Sequence, residues 1–159
     1  MFINYDAILD RKREFDDKTA ARKHKLQLDA EEFLEQLKVS LQLPQHVPVD
    51  PSGMSLFYVG SCIKNDNGFV STPISALQLD EDYVLSFYVG LLINSNVIGG
   101  EWIFVPVELR YENSNLIFSA GQKHAHIEIL PNPSPNRFLD ALDHFKQYCI
   151  DEVSDENLE

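Results

Sequence analysis

The sequence predicts an α+β fold, in which an antiparallel meander of five to six strands carries N-terminal helices and one C-terminal helix packed on it. The spacing of apolar residues supports this prediction, since it is helical before Pro44 and after Pro135 and alternates along most of the stretch between them. Short turn signals separate the strands, and short loops join antiparallel neighbours. The 159 residues are the length of one domain, to which we assign residues 1–150, followed by an acidic, frayed tail at 151–159.

Two helical segments are predicted before the first strand. Asp29 and Glu32 have the spacing of a capping box, so we expect Asp29 to be the N-cap of a helix that ends before Pro44. Residues 3–25 are predicted to form the other segment. Its expected buried side chains are Tyr5, Ile8, Leu9 and Phe15.

Two basic clusters, Arg11–Arg13 and Arg22–Lys25, begin 11 residues apart in this first segment. At about 100° per residue this spacing is three full turns, so both clusters share one face of a continuous helix. Such a face is either solvated and stabilised by ion pairs along the helix, or it docks on an acidic surface. That surface would be the remainder of the same chain, residues 26–159, or of a neighbouring subunit. Homo-oligomerisation therefore stays open.

The predicted strand from Glu101 to Glu112 has two different faces. Aliphatic side chains alternate along one face, whereas Trp102, Phe104 and Glu108 lie on the other. If helices cover both faces of the sheet, the two aromatic side chains belong to the core. If one face is open, they form an exposed apolar patch, which on a soluble protein usually marks a partner site.

The C-terminal helix is predicted to begin at Ser134, as the cap, with Pro135 at the first helical position. An apolar stripe follows at helical spacing and should pack against the sheet. Its members are Phe138, Leu142, Phe145 and Cys149.

The net charge of the chain is strongly negative, and the charged residues are unevenly distributed along it. Residues 1–25 hold seven Lys and Arg against five Asp and Glu, a charge of +2, whereas the other 134 residues hold six against twenty, a charge of −14. Such a body repels phosphate backbones and anionic membrane surfaces, so we expect neither nucleic acid nor membrane as a partner. Cys62 and Cys149 are far apart and fit no zinc spacing, which predicts free thiols in the cytoplasm.

The stretch KHAHIEI, residues 123–129, is the one candidate for metal chemistry. On a strand, His124, His126 and Glu128 project from one face, and imidazole and carboxylate groups are good ligands for zinc or iron. The same alternation fits the solvated face of a half-buried strand, and no further ligand is identifiable. We therefore expect no metal and no cofactor, and keep a metal-dependent or small-ligand-binding protein as the alternative function.

The function that charge and size favour is a non-enzymatic cytoplasmic protein-interaction module, that is, an inhibitor, an immunity-type protein or an adaptor that binds a basic protein. Enzymatic activity has little support, because the sequence contains no nucleophile beside a base and no recognisable carboxylate pair. The expected partner-binding residues combine an aromatic anchor with an acidic rim. They are Trp102, Phe104, Glu108, Glu112, Asp80, Glu81 and Asp82.

Overall fold

One long helix opens the chain. In the computed structural model, which describes residues 2–121, 126–131, 134 and 136–154, α1 spans Tyr5–Ser40 without a break. Its N-cap is Asn4, whose Oδ1 accepts the N–H of Ala7 at 2.9 Å. The prediction of a second helix start at Asp29 is therefore wrong, since Asp29 lies in the middle of a helix that already has its cap.

Only the C-terminal part of α1 is buried. Its buried residues begin at Leu26 and recur at helical spacing: Leu26, Asp29, Ala30, Phe33, Leu34 and Leu37. The predicted burial of the first segment is wrong for Tyr5, Ile8 and Phe15, which are exposed, and Leu9 is only partly buried. The contacts of this part of the helix with the rest of the chain are made by polar side chains near its end, since Arg22 and Lys25 lie over the Tyr111 ring and Lys23 donates to Gln78.

Within the described residues, six antiparallel strands form one sheet in the order β2-β1-β3-β4-β5-β6. The strands are β1 Val59–Asn65, β2 Gly68–Ser71, β3 Leu85–Asn94, β4 Glu101–Glu112, β5 Asn115–Ala120 and β6 His126–Ile129. The predicted strand number and antiparallel pairing are confirmed, and β3 to β6 form a meander. The β1–β2 hairpin departs from it, because β3 pairs with β1 rather than with β2.

The segment between β2 and β3 explains this order. It contains a short 3-10 helix, Ile74–Ala76, and buries Ile74 and Leu77 in the core. The side chain of Gln27 on α1 donates to the carbonyl of Leu77 at 3.0 Å. The segment is thus held against α1, and the chain can re-enter the sheet on the far side of β1.

Both helices pack on one face of the sheet, which we call the inner face. The Phe33 ring of α1 lies 4.7 Å from Phe118 of β5 between ring centroids, and the rings of Phe138 and Phe145 lie 5.7 and 5.9 Å from Phe33. The inner face also buries an aliphatic set from the central strands. Its members are Leu85, Val89, Val105, Val107 and Leu109.

The C-terminal helix, α2, spans Leu139–Val153, later than predicted. Its N-cap is Phe138, so a start at Ser134 is wrong, and Pro135 lies outside the described residues. Asn136 has a φ of 56°, which breaks the helical path immediately before α2. The predicted apolar stripe is confirmed, since all four of its side chains are buried.

A buried ion cluster ties the turn before α2 to α1. The guanidinium of Arg137 donates to Asp29 Oδ1 at 2.7 Å and also to Glu32, while the hydroxyl of Tyr111 donates to Asp29. Burial and the Asp29 carboxylate raise the pKa of Tyr111. Asp29 and Glu32 thus form no capping box; they neutralise Arg137, and removing one partner of such a buried pair typically costs about 3–5 kcal/mol.

Candidate partner-binding surface

The outer face of the sheet carries a cluster of five aromatic rings, which we call the aromatic patch: Phe57, Phe69, Tyr88, Trp102 and Phe104. Phe104 and Phe69 are stacked, with centroids 3.7 Å apart and planes 6° apart. Trp102 lies 4.7 Å from Phe57 and 6.2 Å from Phe104. The rings therefore form one continuous apolar surface.

Two glycines allow these rings to lie against the strands. Gly60 pairs with Gly90, and Gly90 pairs with Phe104, across the β1–β3–β4 ladders. A Cβ atom at Gly60 would lie 2.6 Å from the Phe57 ring, and one at Gly90 would lie 3.1 Å from the Phe104 ring. Glycine within a strand commonly marks such a close approach.

Asp50 fixes the two turns that lead into the patch. Its Oδ1 accepts the N–H and Oγ–H of Ser52 and the N–H of Met54, and its Oδ2 accepts the N–H of Gly99 at 2.8 Å. Gly99 in turn accepts the indole N–H of Trp102 at 2.8 Å. These donors lower the pKa of Asp50 from 3.8 to about 2, the Ser52 hydroxyl contributing most.

The exposure of the patch lies between the two alternatives that the sequence left open. Trp102 and Phe104 are half-buried by neighbouring rings, and Phe69 is 37% exposed. The helices bury their aromatic side chains on the inner face, around Phe118. The patch is thus a packed cluster on the other face of the sheet and not part of the core.

A notch of about 280 Å³ adjoins the patch where β1 separates from β3. The ladder between these strands ends at the pair Cys62–Tyr88. Two charged side chains line this notch. They are Glu108, whose carboxylate is exposed, and Lys64, which carries an ammonium group. The full lining is Ile63, Lys64, Ser86, Phe87, Tyr88, Pro106, Val107 and Glu108. Its size and polar groups suit one protruding side chain of a partner.

A polar row continues from the notch across the outer face. Glu108 pairs with Ser86 on β3 and with Ser119 on β5, and Ser119 pairs with His126 on β6. Glu112 lies on the same face, but its carboxylate is 3.1 Å from the guanidinium of Arg110. Glu108 is therefore the predicted acid that lies nearest the patch.

The acidic turn, residues 80–82, lies apart from the patch. Asp80 Oδ1 accepts the N–H groups of Asp82 and Val84, which shapes the turn that leads into β3. Trp102 pairs with Leu92, near the opposite end of β3 and roughly 23 Å from its first residue, whereas Tyr88, the nearest ring of the patch, is roughly 10 Å from it along the strand. Asp80 lines a cleft with Thr19 and Lys23 of α1, on the helix side of the sheet, so the structure does not bring it together with Trp102 and Phe104.

The proposed metal ligands are only partly within the described residues. His124 lies outside them, while His126 and Glu128 are exposed on the outer face of β6. Within the described ranges, no group of three or more His, Cys, Asp or Glu residues could hold a metal ion. A cleft of about 260 Å³ between α1 and β4–β6 is lined by Lys25, Tyr111 and Arg137 among others, but not by His126 or Glu128. The metal-dependent protein therefore stays the alternative function, and the expectation of no metal stays a prediction.

Sequence reasoning missed Phe57, Phe69, Tyr88 and Asp50 as parts of this surface. The sequence signals that could have identified them were Gly60 and Gly90 within apolar strands, and the DPSG turn that follows Val49.

In comparisons with known proteins, no family model, no curated protein and no solved structure matches this chain. Among the helices of the described residues, none is both long and apolar enough to cross a membrane.

Proposed function

We propose that this protein is a non-enzymatic protein-interaction module, and that it binds a basic partner protein through the aromatic patch and the notch beside it. The observation that carries the proposal is the position of the patch: five packed rings on the sheet face away from both helices. A rigid aromatic cluster loses little conformational entropy on binding, which is why such clusters are frequent binding hot spots.

Charge complementarity supports a basic partner. The body after residue 25 has a net charge of −14, which attracts a basic protein from a distance and accelerates its association. Near the patch, Glu108 is exposed at the notch, where it can accept hydrogen bonds from a Lys or Arg side chain. The faces of Trp102 and Phe104 suit the same cation.

A cytoplasmic location is part of the proposal. Cys62 and Cys149 are both buried and free, and free thiols fit a reducing compartment. Burial raises the pKa of both thiols, so neither is expected to act as a nucleophile; Cys62 is buried beneath the patch, where it pairs with Tyr88.

Binding kinetics with the partner recovered from the native cell on the immobilised protein would test the proposal. We expect Glu108→Lys to slow association, and we expect Glu31→Lys to have a smaller effect because Glu31 is exposed on α1, away from the outer face. The two variants change the net charge equally, so their difference isolates the position of the charge. Equal effects would contradict docking at the notch.

The aromatic anchor should act on dissociation instead. We expect Trp102→Ala to accelerate dissociation about 30-fold, which corresponds to a hot-spot loss of about 2 kcal/mol. Association should slow as the salt concentration rises, because charges beyond about 8 Å are screened at physiological ionic strength. A partner that is not basic, or binding insensitive to both Glu108 and Trp102, would overturn the proposal.

A further inference from the structure

A cleft of about 260 Å³, which we call the Arg137 cleft, lies between α1, the β4–β5 turn, the end of β6 and the segment before α2. Leu116 and Ile129 are buried in its wall, whereas Leu28 and Leu130 also line it and are 51% and 58% exposed. Within the described residues, the cleft shares no lining residue with the notch and none with the aromatic patch. A ligand bound there would therefore be independent of the proposed partner surface.

A buried guanidinium contributes to the wall of this cleft. The Arg137 side chain is 4% exposed, and its Nε and Nη2 groups donate to Asp29 and Glu32. Its Nη1 group has no hydrogen-bond partner among the described residues, yet no side-chain nitrogen sealed from solvent in that part of the chain lacks one. Nη1 therefore reaches open space, and the space that Arg137 lines is this cleft. A buried cation with free N–H groups favours an anionic acceptor.

Two further cations lie over the Tyr111 ring beside the same cleft. Lys25 Nζ is 4.4 Å and Arg22 Cζ is 5.1 Å from the ring centroid, and both Lys25 and Tyr111 line the cleft. The Tyr111 hydroxyl donates to Asp29, which fixes the ring in place. In the part of the chain that the structure describes, neither Arg22 nor Lys25 has a carboxylate within ion-pair distance. Their positive charges are thus held at the cleft by an aromatic face.

The charges around the cleft favour a ligand with one negative charge. Arg22, Lys25 and Arg137 are grouped with two carboxylates, Asp29 and Glu32, so one positive charge is in excess. Asp29 lines the cleft, but its Oδ1 already accepts from Arg137 and its Oδ2 from Tyr111, so its neighbours neutralise it. A monoanion would balance this group. A dianion such as hydrogen phosphate would leave an unpaired negative charge in a partly buried site, which is unfavourable.

We propose that the Arg137 cleft binds a small monocarboxylate with an apolar tail. The carboxylate accepts hydrogen bonds from Arg137 Nη1, and the Lys25 ammonium balances its charge. The tail covers Leu28 and Leu130, which removes from water apolar surface that the domain leaves exposed. The volume of about 260 Å³ is slightly below the roughly 300–1,000 Å³ of pockets for drug-sized ligands, so the ligand has about eight to ten non-hydrogen atoms.

Methyl NMR of the full chain, titrated with hexanoate, would test the site. We expect saturable shifts of the methyl signals of Leu28, Leu116 and Ile129, which line the cleft, and none of Ile63 and Val107, which line the notch. An absence of saturable shifts, or shifts confined to the notch, would overturn the proposal.

Two other probes separate the carboxylate from the tail. Hexan-1-ol has the same tail without the charge and should bind at least about tenfold more weakly, because it cannot form charge-assisted hydrogen bonds. Inorganic phosphate has the charge without the tail and should also bind at least about tenfold more weakly. Equal binding of hexan-1-ol would indicate that the carboxylate is not recognised, and equal or tighter binding of phosphate would indicate a general anion site; each result would contradict the proposal.

Two variants with matched controls place the ligand. Leu130→Glu adds a negative charge at the cleft and should weaken hexanoate binding by more than about tenfold. Leu139→Glu makes the same change on a leucine of α2 that is 56% exposed, and should not weaken it. Lys25→Gln should weaken binding about tenfold, whereas Lys18→Gln, about two turns earlier on α1 and also exposed, should leave it within about twofold.

These variants should leave the fold intact, because Leu130 and Lys25 are exposed. The methyl spectra of the free variants check this directly. Binding that survives both cleft variants, or that the two controls weaken equally, would overturn the proposal.

Discussion

At the residue scale, Asp50 shows how one side chain positions a surface that the sequence only partly indicates. The DPSG turn predicts a local bend, and Asp at its first position commonly accepts the N–H two residues on. The hydrogen bond from Gly99 to the same carboxylate joins positions 49 residues apart. No local pattern encodes that contact, because it arises from the pairing of β1, β3 and β4.

The free energy of unfolding should depend on pH in a way that reflects the titration of Asp50. Its pKa is about 2 in the folded protein and 3.8 ordinarily, so its carboxylate stabilises the fold above about pH 4, and this contribution is lost as the pH falls from about 4 to about 2. We expect Asp50→Asn to lower the free energy of unfolding at neutral pH, and we expect the gap to the parent to narrow within that window.

Urea unfolding at a series of pH values measures this gap. Asp66→Asn is the matched control, since Asp66 is exposed in the β1–β2 turn and should show little difference from the parent. A gap between the parent and Asp50→Asn that stays constant from pH 6 to about 2 would contradict the assigned role of Asp50.

At the element scale, periodicity predicted the buried residues of α2 but failed for the first helical segment, where Tyr5, Ile8 and Phe15 are exposed, and the cap motifs misplaced both helix starts. The stripe of α2 and the alternation of β4 were correct, because each follows from one face meeting a core. The capping-box spacing at Asp29 was misleading, since the same carboxylates serve Arg137, 108 residues away from Asp29 in sequence. A motif of four residues cannot distinguish a helix cap from a partner in a distant ion pair.

The packing of α2 gives a direct stability prediction. Phe145 is 1% exposed and its ring contacts Phe33, so Phe145→Ala should lower the free energy of unfolding by about 3–5 kcal/mol. Asp143→Ala on the exposed side of the same helix should change it by less than about 0.5 kcal/mol. Urea denaturation of both variants checks this, and similar midpoints would show that α2 is not docked as described.

At the scale of the whole molecule, composition and alternation were enough to predict an α+β fold with an antiparallel sheet. They could not predict that both helices lie on one face, because the outer side of β4 is apolar enough to be covered. Trp102 and Phe104 were identified as a pair from that alternation, whereas Phe57 and Phe69 come from other segments and join them only in the folded sheet. The acidic turn at residues 80–82 was grouped with them by charge alone.

The position of the binding surface is the central claim, and site-specific photo-cross-linking in the native cell tests it most directly. A photoreactive residue at Ser86, exposed on the outer face beside the notch, is compared with one at Asp143, exposed on α2. We predict adducts with a basic protein from the Ser86 position, few from Asp143, and loss of the Ser86 adduct when Glu108→Lys is added. Adducts that form mainly from Asp143, or a Ser86 adduct that persists with Glu108→Lys, would contradict docking at the aromatic patch.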